Sequence, residues 1–403
     1  MTNRWRTLTP TVLVVAALLT PAAEAGRPAW FTSWAQSQQN LGPAVRDQSM
    51  RMITHLSQGG SAVRVRVQNT FGTQPLTLDH TTVALSRGDA AVSDVRDLTF
   101  GGRRAVTLQP GASTWSDQVP LTTSAGADLA VSMHVAGEAV PGRHDGAFRE
   151  NYLTAPGSGD QTAAPADAYT QKIQSTYVVT AVDVFNPRLK GTIVPFGSSV
   201  VDGVGSTNCG PGCTELGADK RWTDVLARRI AAESPVQLAV ANAGISGTTS
   251  ALCPGNSPGL KDLDAAARLE RDVLALHGVT DVIYYYGTND LANGCSAADI
   301  IASYRTVFAR LKAAGVKVHV TPITPRPGYS DQNNIDRHAV NSFVKRGSDC
   351  SGTCTSLTDF DQVLSDPVKP TAILPAYDTG DGVHANIAGQ RAIGDYIDLK
   401  AFR

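Results

Sequence analysis

The chain has 403 residues, of which 42% are hydrophobic and 18% charged, and its formal net charge is −1. That length favours two domains over a single core, and the composition excludes a disordered chain. A charge this close to zero offers no electrostatic footprint for nucleic acid or an acidic membrane surface, so neither is expected as a partner.

Residues 1–25 have the pattern of a signal peptide. Arg4 and Arg6 give a basic start, TVLVVAALL (11–19) is an apolar run, and Ala23-Glu24-Ala25 fits a small-x-small cleavage site. The run is too short to span a bilayer, and no later run is long enough. The expectation is a secreted protein without integral membrane association, acting as a monomer.

Residues 27–185 read as an all-β sandwich of jelly-roll type. In SAVRVRVQN (61–69), Val63, Val65 and Val67 alternate with Arg64, Arg66 and Gln68. ADLAVSMHV (127–135) alternates likewise, and this period of two marks half-buried antiparallel strands. Arg64 and Arg66 then fall on a solvated face, with polyanion binding as the alternative; His134, on the polar face of its strand, is expected to meet solvent or to make an interdomain contact. Trp30, Trp34 and Trp115 are expected to pack, with sugar stacking as the alternative. The segment 156–168 reads as a mobile loop. YVVTAVDVF (177–185) is a last strand, and 186–191 a linker.

From residue 192 to 403 the pattern changes. TIVPFG (192–197), VQLAVANAG (236–244), DVIYYYGTND (281–290) and KVHVTPIT (317–324) are apolar runs that end in small or polar residues. Helical spacing over 221–232 and 298–312 separates them. Continuously apolar strands alternating with helices imply a parallel sheet covered on both faces, and ligands bind such sheets at the strands' carboxyl ends.

All six cysteines lie beyond residue 208. In an exported protein an even number implies disulfides. Several pairings are possible, and the close spacing of two pairs suggests Cys209–Cys213 and Cys350–Cys354, which leaves Cys253–Cys295. The two C-x₃-C units are far apart in a chain large enough to fold unaided, which argues against zinc. No metal or cofactor is expected.

Four strand ends and loops carry candidate chemistry. They are Gly197-Ser198-Ser199-Val200-Val201-Asp202-Gly203, NAGISGTT (242–249), Gly287-Thr288-Asn289-Asp290 and Asp381-Gly382-Val383-His384. Together they supply a hydroxyl, an imidazole to take its proton, a carboxylate to orient the imidazole, and donors for an oxyanion.

These four blocks, in this order, resemble the SGNH (GDSL) hydrolase family. The resemblance covers roughly 192–403 and implies a flavodoxin-like three-layer α/β/α fold. It makes Ser199 the nucleophile, His384 the general base and Asp381 the residue that orients it. The oxyanion hole would be the N–H groups of Ser199 and Gly247 with the Asn289 side chain. QSMRMITHLSQGGSAVRVRVQNTFGTQPL (48–76) resembles the β-rich N-terminal region of one group of exported bacterial SGNH hydrolases. The implied function is a secreted serine carboxylester hydrolase working through an acyl-enzyme. Fold and motif select no substrate; the lack of an identifiable amphipathic lid stretch leans toward short-chain, acetyl-type esters, and the β-sandwich toward esters borne by a polysaccharide. The alternatives are a lipase or phospholipase, an acyltransferase with the same triad, and a glycan-binding protein with a vestigial hydrolase domain.

One position departs from the family pattern. Ser198 stands where an Asp usually precedes the nucleophile, a residue suited to bracing the turn by accepting backbone hydrogen bonds. Ser198→Asp is therefore expected to give equal or higher esterase activity. A large loss of turnover would show that Ser198 has a role of its own.

Overall fold

The computed structural model describes residues 29–402; the 1–25 leader lies outside the described residues. The N-terminal half is built of two facing antiparallel sheets. The first orders Trp30–Ala35, Val179–Phe185, Ala62–Gln68 and Val119–Pro120, with Ser113–Trp115 also paired to Ala62–Gln68. The second orders Gln171–Ile173, Asn151–Leu153, Val45–His55, Asp128–Ala139, His80–Ser86 and Val92–Leu98. Between them, Val63, Val65 and Val67 meet Met50, Met52, Leu129, Val131 and Met133 in one buried cluster. The alternation seen in the sequence is thus the inward face of a sandwich.

The C-terminal half is a parallel sheet ordered Ala239–Val240, Thr192–Gly197, Val279–Tyr285, Lys317–Val320 and Ser356–Leu357, with Ala243–Gly244 extending the first position. In chain order this is the flavodoxin-like arrangement 2-1-3-4-5. Alternate residues of each strand face opposite layers. Val194, Phe196, Val282 and Tyr284 pack beneath the helix Ala297–Ala313 and against Val340, Phe343 and Val344 of Asp331–Lys345. Ile193, Ile283 and Tyr285 pack beneath Trp222–Glu233 and Ile387–Tyr396. The result is three layers, helix, sheet and helix. Among the described residues no helix is long and apolar enough to cross a membrane.

The polar face of Ala62–Gln68 differs from its expected solvated character. Arg66 is only 3% exposed and donates to Thr180 Oγ1 (3.0 Å) and to the carbonyl of Arg271 (3.2 Å), which lies in the C-terminal half. Arg64 donates to Asp183 (2.8 Å) and lies over the rings of Trp30 and Trp115. Desolvation lowers the Arg66 pKa to about 10, which leaves it charged at neutral pH. The sheet's outer face is therefore an internal interface, and period-two alternation cannot tell water from a second domain. Trp30 packs edge-on to Phe185 and Trp115 packs against His277. His134 is also buried, 3.1 Å from Asp47.

Residues 156–168, expected to be mobile, are tied down. The buried Arg51 donates to the carbonyls of Thr162 (3.0 Å) and Ala164 (3.1 Å), while Ser49 Oγ accepts from the Gln161 N–H (2.9 Å). A buried guanidinium must fill its donor positions, and these loop carbonyls fill them.

Three disulfides are present, Cys209–Cys213, Cys253–Cys295 and Cys350–Cys354. Cys253–Cys295 closes a sequence separation of 42, against 4 for each of the others. By loop-closure entropy the long link contributes about 4 kcal/mol and a short one about 2 kcal/mol. Cys253→Ala/Cys295→Ala is therefore expected to lower the urea midpoint more than Cys209→Ala/Cys213→Ala does.

Candidate active site

Thr192–Gly197 is paired on both sides in the sheet and delivers Ser198 and Ser199 at its carboxyl end. A short helix, Ser199–Asp202, starts there with Ser198 as its N-cap. The turn is tight: a Cβ on Gly197 would lie 2.3 Å from the carbonyl oxygen of Tyr285 and 2.4 Å from Val201. Glycine is needed because the neighbouring backbone leaves no space.

His384 lies on the loop before Ile387–Tyr396. Its Nε2 is 2.8 Å from Ser199 Oγ and its Nδ1 is 2.6 Å from Asp381 Oδ2. The other carboxylate oxygen of Asp381 accepts the N–H groups of Val383 (2.8 Å) and His384 (2.9 Å). Asp381 therefore fixes its own loop as well as the ring. Asp378 adds to this by accepting from the N–H groups of Gly380 (3.0 Å) and Gly382 (2.8 Å). Partial burial pushes the Asp381 pKa up, but the bonds from His384 and the backbone outweigh it and hold the carboxyl at about 2. With Asp381 ionised and accepting from Nδ1–H, Nε2 is left to accept the Ser199 proton.

The other two blocks continue from the strands on either side of Thr192–Gly197. Gly197 pairs with Gly244 on one side and with Tyr285 on the other. Gly247 has φ +82°, a conformation that favours glycine, and a Cβ there would lie 2.8 Å from Leu260. Asn289 donates Nδ2–H to the Thr248 carbonyl (3.1 Å), which ties the third block to the second. The Asp290 carboxylate, fully buried, accepts the N–H groups of Ser250 (3.0 Å), Ala251 (2.8 Å) and Gly287 (3.2 Å). Desolvation raises its pKa to about 6, against the lowering effect of those donors.

Sequence reasoning missed three supports. Arg326 donates Nη1–H to Asn289 Oδ1 (3.0 Å), which turns the amide nitrogen away from itself. Arg268, fully buried under the site, donates to the carbonyls of Gly197 (2.7 Å) and Ala243 (2.8 Å) and to the hydroxyl of Tyr286 (2.6 Å). Asp202 accepts from the N–H (3.1 Å) and hydroxyl (2.6 Å) of Ser246, next to Gly247. Arg268 and Arg326 stand in no motif, and only the folded chain brings them to the strand ends. Ser198 is buried and its hydroxyl has no hydrogen-bond partner. Tyr284, Tyr285 and Tyr286 are core residues, with their hydroxyls bonded to Ser250, Thr324 and Arg268.

A parallel sheet with a hydroxyl–imidazole–carboxylate relay at its carboxyl edge defines an α/β domain of hydrolase type. Residues 196–392 match the family described as GDSL-like Lipase/Acylhydrolase, and this half of the chain is a domain of that family. The whole chain is similar to solved structures over about half its length. A GDSL-like lipase from Bacteroides thetaiotaomicron has 18% identity, covering 53% of this chain and 88% of that one at TM-score 0.38. The aryl esterase of M. smegmatis has 20% identity, with 51% and 95% coverage at TM-score 0.40. A carbohydrate acetylesterase from Sinorhizobium meliloti has 17% identity, with 51% and 95% coverage at TM-score 0.39. No curated protein sequence matches the chain.

The Asp381 pKa has a stability consequence with a definite sign. It is lowered from 3.8 to about 2, so the carboxylate's contribution is present above about pH 4 and is lost as pH falls through about 2. Asp381→Asn is expected to lower Tm at pH 6, with the gap to the parent closing between pH 4 and pH 2. A gap independent of pH would contradict this origin.

Proposed function

We propose that this protein is a serine carboxylester hydrolase that works through an acyl-enzyme. The observation that carries the reading is the continuous relay from Asp381 through His384 to Ser199, with contacts of 2.6 and 2.8 Å. Ser199 Oγ attacks the ester carbonyl while His384 Nε2 takes its proton. Charge develops on the carbonyl oxygen, which the N–H groups of Ser199 and Gly247 and the Asn289 amide stabilise. As the first residue of its helix, Ser199 has an N–H with no intrahelical acceptor. His384 then returns the proton to the leaving alcohol, and the acyl group stays on Ser199. Water, deprotonated by the same imidazole, attacks the acyl carbonyl and releases the carboxylic acid. Loss of one oxyanion donor of this kind costs about 10²–10³ in turnover.

We assign the substrate to short-chain esters, small or carried on a polysaccharide, and the protein to the outside of the cell. The leader pattern at 1–25 and the three disulfides support export. The preference for short acyl chains rests on the sequence, in which no amphipathic lid segment is identifiable.

The test is hydrolysis of p-nitrophenyl esters of increasing chain length by the mature protein and by Ser199→Ala. Acetate and butyrate esters are expected to be the best substrates, and Ser199→Ala is expected to lose at least about 10³ in kcat. Activity surviving that substitution would overturn the nucleophile. A preference for long acyl chains would replace the short-chain assignment with a lipase.

A further inference from the structure

The strand Gly142–His144 belongs to the N-terminal β region, where it pairs with Thr176–Tyr177 and Asn40–Leu41. His144 at its end reaches the C-terminal half. Its Nε2 is 3.0 Å from Asp202 Oδ1 and its Nδ1 is 2.7 Å from the carbonyl of Ser37. His144 and Asp202 are 1% and 3% exposed. Both ring nitrogens thus face oxygen acceptors inside the protein. A neutral imidazole has one donor and one acceptor, and it would turn a lone pair on one of these oxygens. The geometry calls for the imidazolium, bonded to a carboxylate.

Asp202 occupies a central place. It ends the short helix that Ser199 begins. Its second oxygen, Oδ2, accepts both the N–H and the hydroxyl of Ser246, the residue before Gly247. Contact between these two pieces of backbone is close enough that a Cβ on Gly244 would lie 2.1 Å from the Asp202 nitrogen. Arg221 is the charged side chain that backs the pair from the other side, donating to the Asp202 carbonyl (2.8 Å) and to the Ala147 carbonyl (3.0 Å). One carboxylate therefore joins the nucleophile's helix, the glycine loop and the N-terminal region.

We propose that His144 is a positioning residue for ester hydrolysis: by holding the Asp202 carboxylate, the N-terminal β region fixes the Ser246–Gly247 loop against the Ser199 helix. This rests on the reading of Ser199 and Gly247 given above. It gives the β region a role in turnover beyond tethering or binding. It also accounts for the tolerance of serine at 198. The brace expected of a carboxylate there is supplied by Asp202, one turn further along the helix, while the Ser198 hydroxyl stays unpartnered. The direction of both titrations agrees with an ion pair. Burial disfavours the charge on each, but mutual attraction and hydrogen bonding overcome it, so His144 is raised and Asp202 lowered.

The mechanism predicts loss of transition-state stabilisation with ground-state binding intact, because the loop donates to the oxyanion and not to the bound ester. Displacing reacting groups by a fraction of an ångström to one ångström costs up to about 10²-fold. In the full-length enzyme with p-nitrophenyl acetate, His144→Gln is expected to lower kcat by about 10- to 100-fold with KM within about twofold of the parent. Ser246→Ala should lower kcat by about 5- to 10-fold, and the double variant should lose less than the product of the two single losses. A folded His144→Gln with parental kcat, or one changed in KM alone, overturns the proposal. So do losses that simply multiply. Should His144→Gln fail to fold, Ser246→Ala carries the test, and parental kcat in that variant overturns the proposal. Ser199→Ala measured alongside separates the two readings. Activity surviving there overturns the nucleophile. An inert Ser199→Ala beside a fully active His144→Gln overturns only the role of His144.

Discussion

The site depends on holding the ends of three neighbouring strands level, and a single buried guanidinium does this. Arg268 donates to the carbonyl of Gly197, the carbonyl of Ala243 and the hydroxyl of Tyr286. A carbonyl oxygen has two acceptor positions, and that of Gly197 uses one for the Ile245 N–H (3.1 Å). Arg268 donates to the same oxygen and carries a charge into the core in doing so. That charge is balanced by Asp272 at 3.1 Å, whose carboxylate also binds Arg271 at 2.6 Å. Removing one member of such a buried set leaves an uncompensated charge, which typically costs about 3–5 kcal/mol. The cost would fall on the Gly197 turn, where Ser199 starts its helix.

The same set of charges reaches across the molecule. Arg271 donates to the carbonyl of Gln38, and Arg66 donates to the carbonyl of Arg271. Thr32 and His277 exchange backbone and side-chain bonds of 3.1 and 2.9 Å. Ala35 and Ala181, from the N-terminal sheets, belong to the same buried cluster as Val194 and Phe196 of Thr192–Gly197. The two halves therefore share apolar core as well as buried polar groups. Polar groups matched only across an interface make separation costly twice, through exposed apolar surface and through lost partners.

What can be read from the sequence is what is local. Val63, Val65 and Val67 announce a strand by their period. TIVPFG announces a parallel strand by being apolar throughout. Asp381 and His384 are close enough in sequence to meet in one loop. Ser356–Leu357, the fifth strand of the parallel sheet, is not legible because two residues carry no period. The helix Asp331–Lys345 is not legible because few of its residues are apolar; Val340, Phe343 and Val344 form its buried seam. Arg66 and His134 mislead because a polar residue facing another polar residue inside a protein looks, in sequence, like one facing water. Only the partners distinguish the cases, and Thr180, Arg271 and Asp47 are remote in sequence from the residues they satisfy.

The serine at 198 shows how far a motif can be trusted. A motif places residue types at positions, whereas the chemistry requires charges and donors at points in space. At the end of a helix these are different requirements, since residues one turn apart lie on the same face. Ser198 and Asp202 stand in that relation, and the carboxylate at 202 meets the Ser246 donors. A carboxylate at that depth needs a counter-charge, which the strand and helix around Ser199 do not provide. His144 provides it from Gly142–His144, a strand of the N-terminal β region that lies outside all four sequence blocks of the site. The motif around Ser199 is therefore complete only when the other half of the chain is folded against it.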